Sequence, residues 1–331
     1  MSRFIKDFYG NIATTLLGIA IAVFTIDRAN ERRADRQADE KMQAQLIRQM
    51  GSIDNGLARL AVEELRARGW LEDGSLREAE LRGADLHGVA LYGADLQEAK
   101  LEKANLQGAN LAGANLHRAY LPEADLQGKA YLSEADLRNA NLHRAKLQEA
   151  GLGRAKLQGA LLQGAYLQAT YLEGAKLQKA ILQGAKLQGA NLSEAELQGA
   201  NLHWAKLHGA ILFRTNLEGA EVSEHQLVTA DCLRGATMPD GSLYDGRFKL
   251  SRDFDIPVKE LFDTPEKIAP WYGVTLEVYL AGQEWADENL PRLRREAGLA
   301  EEEAVETAEA PQPEELQSVP SSSSAPPTVS V

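Results

Sequence analysis

A chain of 331 residues with a formal net charge of −12 has room for two or three domains, and its charge is unevenly spread. Residues 1–74 carry 11 acids and 11 bases, residues 75–222 carry 16 of each, and residues 223–331 carry 21 acids and 9 bases. The acidic excess lies at the C-terminal end, no basic patch indicates nucleic-acid binding, and the single cysteine, Cys232, excludes an internal disulfide.

An uncharged stretch of 19 residues, Phe8–Ile26, predicts a membrane-spanning helix, and we assign residues 1–27 to a membrane anchor. As an α-helix the stretch is about 28 Å long, close to the thickness of the hydrocarbon core. A buried soluble helix and a cleaved signal peptide are the alternatives. Asp27 and Arg28 follow directly, however, where a signal peptide needs a small-residue cleavage region.

More basic residues follow this stretch than precede it. The basic residues that follow it are Arg28, Arg32, Arg33 and Arg36, and those that precede it are Arg3 and Lys6. The positive-inside rule then predicts a single-pass membrane protein whose C-terminal bulk is cytoplasmic.

Residues 28–73 are predicted to form a charged helical stalk and an N-terminal capping helix. A thin apolar stripe runs along the stalk at Ala34, Ala38, Met42, Leu46 and Met50. It indicates either a self-association seam or a solvated stalk, and the sequence favours the stalk because alanine buries little area. An amphipathic helix over Leu57–Arg68, with Trp70 and Leu71, should cover the first coil of the following region.

Residues 74–222 follow a five-residue period. Leucine stands at every fifth position from Leu76 to Leu126 and, after one extra residue, from Leu132 to Leu217. Alanine lies two places before nearly every leucine, and the exceptions are Gly74, Val89, Thr170 and Thr215. On an α-helix, leucines five residues apart would wind around the axis, and in a strand they would alternate between faces. Only a backbone that turns once per pentapeptide buries them together, which predicts a solenoid.

The repeat resembles that of the pentapeptide-repeat family, A(D/N)LXX. The resemblance is carried by units such as Ala84-Asp85-Leu86, Ala114-Asn115-Leu116 and Ala190-Asn191-Leu192. It implies an all-β solenoid, a right-handed quadrilateral β-helix with four pentapeptides per coil. The leucine and the preceding alanine would point inward and the other three positions outward. The 30 units would make about seven and a half coils.

Departures from the repeat suggest where a partner binds. One residue in Gln127–Ala130 must bulge, and a single insertion is usually tolerated without a function. Several large apolar residues occupy outward positions. Such a cluster on a polar rod is typical of a contact surface, and the alternative is that Leu161 and Ile181 only pack against each other, since scattered exposed apolar residues usually have no function. These candidate interaction residues are Leu161, Ile181, Trp204, Ile211 and Phe213.

Catalytic chemistry is not indicated anywhere in the chain. Five histidines directly follow a leucine and face outward on separate coils: His87, His117, His143, His203 and His208. They are too dispersed to share a zinc ion. No phosphate-binding or hydrolase motif is present either, so the sequence predicts no enzyme, no metal and no cofactor.

Residues 223–298 are predicted to form a C-terminal cap and a helical extension. Ser223 to Gln226 has the capping-box pattern and should start a short helix. Further helices are expected after Thr264-Pro265 and after Thr275, the latter interrupted at Pro291. Residues 299–331, rich in acids and then in proline and serine, are predicted to be a disordered tail.

The favoured function is a membrane-tethered scaffold that presents a rigid surface to an unknown protein partner. One alternative is a DNA-mimicking topoisomerase-binding protein, which family members with quinolone resistance suggest, although the rod has no net charge. Another is a regulatory subunit of a membrane enzyme or transporter. We also expect residues 243–297, with Trp271, Tyr272 and Trp285, to fold back over the outward apolar residues near the rod's end, in preference to a C-terminal homodimer.

Overall fold

The computed structural model describes residues 2–253 and 264–299, with the backbone alone for residues 2–20. The described part contains five helices and, between the second and third, a long series of parallel β-bridges. The helices are α1 (Ser2–Met50), α2 (Asn55–Ala67), α3 (Glu224–Leu227), α4 (Pro265–Tyr272) and α5 (Leu276–Glu296).

The central region is a parallel β-helix with four five-residue sides. Each bridge joins residues 20 apart, as in the pair Glu80 and Lys100. Across the extra residue the spacing becomes 21, as in the pair Asn110 and Tyr131. The inserted turn has positive φ at both Gly128 (69°) and Lys129 (67°), which locates the bulge in the predicted segment.

The turn between two sides explains the repeat. After each leucine the backbone forms a turn that is closed by the next alanine, as where the Ala160 amide donates to the Leu157 carbonyl oxygen at 3.0 Å. The third residue of the turn has positive φ, for example 67° at Gly159. Such a turn favours glycine at that position, because a Cβ is disfavoured in the left-handed region. The leucines and alanines point inward and are almost completely buried.

The first coil is covered by α2 and also by the end of α1. Backbone pairing continues from the solenoid into the cap, since the Asp95 amide donates to the Leu71 carbonyl at 2.8 Å. The apolar stripe of the stalk divides into two parts. Ala34 and Ala38 are exposed, as expected for a solvated stalk, whereas Leu46 and Met50 are buried against the cap.

At the other end the pairing continues past Val222. Bridges join Ile211 to Cys232 and Asn216 to Thr237, with α3 occupying the position of one pentapeptide. The predicted capping box at the start of α3 is present.

Helices α4 and α5 pack on an aromatic cluster beyond this last pairing. Tyr244 contacts Tyr272 with ring centroids 5.7 Å apart, and Phe248 contacts Trp285 at 5.8 Å. The predicted interruption at Pro291 is wrong: α5 continues through it to Glu296. Leu290 and Leu293 are buried on either side of the proline, so packing outweighs its preference to end the helix.

Among the described residues, no helix is long and apolar enough to cross a membrane. The predicted anchor Phe8–Ile26 has its first 13 residues among those whose side chains are not described. Of its remaining residues, the large apolar ones are exposed, at 52% for Val23 and 59% for Phe24. The predicted tail, apart from Leu299, and residues 254–263 of the predicted extension also lie outside the described residues.

Candidate interaction surface

The candidate residues divide between two opposite sides of the rod. One ladder of bridges runs from Asn141 through Leu161 and Ile181 to Asn201. Another runs through Tyr171, Asn191 and Ile211 to Cys232 and is offset from the first by ten residues, which is two of the four sides. We call these the Leu161 side and the Ile211 side.

On the Leu161 side the structure brings three of the five candidates together. Leu161 and Ile181 are half-buried and lie directly opposite each other on neighbouring coils. Trp204 stands in the turn that ends this side on the next coil, and it is 75% exposed. The equivalent turn residues on the two preceding coils are Gly164 and Gly184, and a Cβ added at Gly184 would meet no atom within 4 Å. The indole therefore projects beside a flat surface of apolar residues and backbone.

On the Ile211 side the candidates belong to the C-terminal cap. Phe213 lies between the guanidinium groups of Arg214 and Arg234, at 4.9 and 4.7 Å from its ring centroid. Arg234 also lies over the ring of Trp271 at 4.2 Å. Helix α4 thus reaches Phe213 through an arginine, while Trp204 on the other side stays open.

The titratable groups at this end have structural roles. Asp253 is fully buried, accepts a hydrogen bond from the Leu233 amide at 2.9 Å, and has its pKa raised by burial. Burial and the nearby Asp253 raise the pKa of the Cys232 thiol to about 11. Within the described residues no set of three His, Cys, Asp or Glu side chains is placed to hold a metal ion.

The predicted histidines are in outward positions, as expected, and two of them pair with acids. His87 Nδ1 lies 2.8 Å from Asp85, and His203 Nε2 lies 3.4 Å from Glu221. The order of the charges along the rod was not predicted. In the N-terminal coils most bases pair with acids, one such pair being Arg77 with the buried Asp95 at 2.6 Å.

The sequence profile of the pentapeptide repeats matches this region in 8 copies, over residues 70–97, 91–128, 129–164, 155–194, 175–212 and 195–231. The sequence has no match among curated proteins. Among solved structures it is similar over nearly the full length of HetL, a pentapeptide repeat protein involved in heterocyst differentiation regulation in the cyanobacterium Nostoc sp. strain PCC 7120. The identity is 32%, the match covers 56% of this chain and 98% of HetL, and the TM-score is 0.27.

The chain belongs to the pentapeptide-repeat family. Its central rod is therefore a right-handed β-helical solenoid. Rfr23 from the cyanobacterium Cyanothece 51142 is also similar, with 32% identity over 34% of this chain and 58% of Rfr23, and a TM-score of 0.20. Full-length QnrB1, a plasmid-mediated fluoroquinolone resistance protein, is 16% identical over 43% of this chain and 82% of QnrB1, with a TM-score of 0.23.

Proposed function

We propose that this pentapeptide-repeat protein is a membrane-tethered, non-enzymatic scaffold whose rod presents the Leu161 side to a protein partner in the cytoplasm. The observation that carries the proposal is the position of Leu161, Ile181 and the 75% exposed Trp204 on one flat side. Apolar residues grouped on a polar surface, with an aromatic residue at the centre or rim, are typical of protein interfaces.

Rigidity makes this side suitable for binding. Leu162 donates its amide proton to the Ile181 carbonyl at 2.8 Å, and Leu182 donates to Asn201 at 2.7 Å. Each coil is thus fixed to the next by backbone hydrogen bonds. A partner that binds here meets a surface that is already ordered, so little conformational entropy is lost on association. With four pentapeptides per coil, the 30 units of residues 74–222 would give a rod of about seven and a half coils.

The membrane tether is supported by the sequence of Phe8–Ile26 and by the arginines that follow it. The test is fractionation. Full-length protein should sediment with membranes and resist carbonate extraction, and deletion of residues 1–27 should release it. Recovery of the full-length chain in the soluble fraction would exclude the tether.

The partner surface is tested separately, by purifying the full-length protein from membranes with whatever it binds. Leu161→Lys with Ile181→Lys should remove a specific partner, because lysines would interrupt the apolar side. The matched control is Tyr131→Lys with Tyr171→Lys, which changes exposed aromatic residues on the Ile211 side. Loss of the same partner from both variants, or from neither, would exclude the Leu161 side. A partner that proves to be a membrane enzyme or transporter would favour the regulatory-subunit alternative.

A further inference from the structure

The rod has no net charge, yet its middle coils are basic. Between residues 141 and 190 there are seven bases and two acids. The bases are Arg144, Lys146, Arg154, Lys156, Lys176, Lys179 and Lys186, and the acids are Glu149 and Glu173. Counting charge over the whole rod hides this zone, because the N-terminal coils hold most of the acids.

Ion pairing between coils stops in the same zone. Lys103 pairs with Glu123 at 4.0 Å, and Lys146 pairs with Asp125 at 3.3 Å. Further along, the described part of the rod has no carboxylate within 4.0 Å of the ammonium of Lys186 or Lys206. The Lys186 ammonium instead lies over the ring of Tyr166, 4.0 Å from its centroid.

Four bases lie along one edge of the rod, which are Arg144, Lys146, Lys186 and Lys206, with the uncharged Tyr166 between Lys146 and Lys186. On each coil along this edge, the third residue of the turn lies two positions before the residue that forms the bridge on the next side. The pairs are Arg144 with Lys146, Gly164 with Tyr166, Gly184 with Lys186, and Trp204 with Lys206. We call this corner the Lys206 edge. Lys186 and Lys206 are directly bridged, and like charges opposite each other on neighbouring strands are destabilising. An anion bound between them would remove that repulsion.

The diagonally opposite edge is also basic, but it is interrupted. It carries Arg154 and Lys156, then Lys176, and then Glu194 with Glu196 on the following coil. These two acids separate its bases from the C-terminal end of the rod. The Lys206 edge has no acid at the corresponding positions from Arg144 to Lys206.

The chain leaves the described structure beside the end of the Lys206 edge. The side-chain Nε2 of Gln226, in α3, donates to the carbonyls of Leu202 at 2.7 Å and Ala205 at 2.8 Å, so α3 covers the coil that carries Trp204. His225, next to it, contacts the carboxylate of Glu296 at the end of α5. Leu299, the last described residue, follows only three positions later.

We propose that the acidic segment 301–315 of the same chain binds along the Lys206 edge. The segment has seven glutamates, and no base occurs from residue 300 to 331. Fifteen extended residues reach about 50 Å, whereas the three coils from Lys206 to Lys146 span about 14 Å. The point at which the chain leaves the described structure, the length of the segment and its negative charge are therefore all compatible with binding along this edge. The segment would shield Lys186 and Lys206 from other anions, and this contact does not depend on the proposed scaffold function.

Zero-length carbodiimide coupling tests the contact, because it joins a carboxylate to an amine only when the two already touch. Full-length protein in a detergent with uncharged head groups should give links from glutamates of residues 301–315 to Lys186 and Lys206 within one chain. The links should diminish in high salt. Lys156 and Lys176, on the opposite edge, are the internal control and should link several-fold less. Equal linking of the two edges, or links only between chains, would overturn the proposal.

A second measurement uses a synthetic peptide of residues 300–316 and a full-length variant with the seven glutamates changed to glutamine. The variant should bind the peptide several-fold more tightly than the unchanged chain, in which the edge is already occupied. Lys186→Gln with Lys206→Gln should abolish that binding, and Lys156→Gln with Lys176→Gln should retain it. If the variant bound anionic lipid vesicles but not the peptide, the edge would belong to a lipid surface and the proposal would fail.

Discussion

Replacing Leu157 by alanine tests the inward direction of the leucines with a calculable effect. The side chain is 1% exposed, and the change removes three carbon atoms from the core. At about 0.8 kcal/mol per buried CH₂ group, the lost transfer free energy is about 2.4 kcal/mol. The neighbouring core already contains a cavity of about 10 Å³ lined by ten leucines, from Leu147 to Leu192, and the new void would join it.

The backbone cannot collapse into that void. The Leu157 amide donates to the Lys176 carbonyl at 2.7 Å, and the Leu137 amide donates to Lys156 at 2.7 Å, so both neighbouring coils hold the side in place. A cavity term is therefore added to the transfer term, and we expect a total loss of about 3–5 kcal/mol in the free energy of unfolding.

The control lies one position away. Lys156 is exposed, so Lys156→Ala should change the free energy of unfolding by no more than about 0.5 kcal/mol. Urea unfolding of the full-length chain, followed by circular dichroism, gives both midpoints. Because repeat proteins can unfold in parts, the slopes must agree before the midpoints are compared. Equal shifts for Leu157→Ala and Lys156→Ala would show that the inward and outward positions are wrongly assigned.

Three further predictions concern single positions. Ala169 has φ of 52°, so Ala169→Gly should raise the melting temperature, whereas Ala112→Gly, at a turn position without positive φ, should lower it; the same sign for both would contradict the turn argument. The buried Thr170 hydroxyl donates to the Leu147 carbonyl at 2.9 Å, so Thr170→Val should cost about 1 kcal/mol in urea unfolding, and an unchanged midpoint would contradict this. Burial raises the pKa of the Cys232 thiol to about 11, so at pH 8 a thiol reagent should label native protein far more slowly than urea-unfolded protein; equal rates would contradict this.

The sequence predicts the rod well because one physical requirement is repeated along it. A five-residue period is incompatible with a helix or a flat strand, so it specifies a turn in every unit. The structure adds the reason for the glycines: the third turn residue has positive φ, even where it is Glu149 (60°) or Trp204 (58°). A non-glycine residue is strained there by about 1–2 kcal/mol, which many other contacts can offset.

The ends of the rod could not be predicted equally well, because there the contacts are not periodic. Leu46 and Met50 are buried although they continue a stripe that is exposed at Ala34 and Ala38. Nothing in their spacing distinguishes the two halves of the stripe. Beyond Val222 the pairing continues, but α3 replaces one pentapeptide and removes the five-residue signal.

The positions of the candidate residues were easier to predict from the sequence than the residues that contact them. A register of 20 residues correctly stacks Leu161 on Ile181, because every coil has four sides of equal length. The same register cannot show that Phe213 lies between Arg214 and Arg234, since the second arginine follows the irregular α3 segment. That contact places Phe213 in the C-terminal cap, whereas Trp204 on the Leu161 side is 75% exposed.

The total charge of this rod is a poor guide to the local charge on its surface. Equal numbers of acids and bases suggest a neutral surface, but a locally neutral surface requires each base to have an acid nearby, on its own coil or on a neighbouring one. Lys146 meets Asp125 at 3.3 Å, whereas Lys186 has Lys206 as its bridge partner on the next coil. In a solenoid, therefore, the sign of the local field depends on residues 20 apart rather than on the total. A search for partners should therefore vary salt as well as sequence.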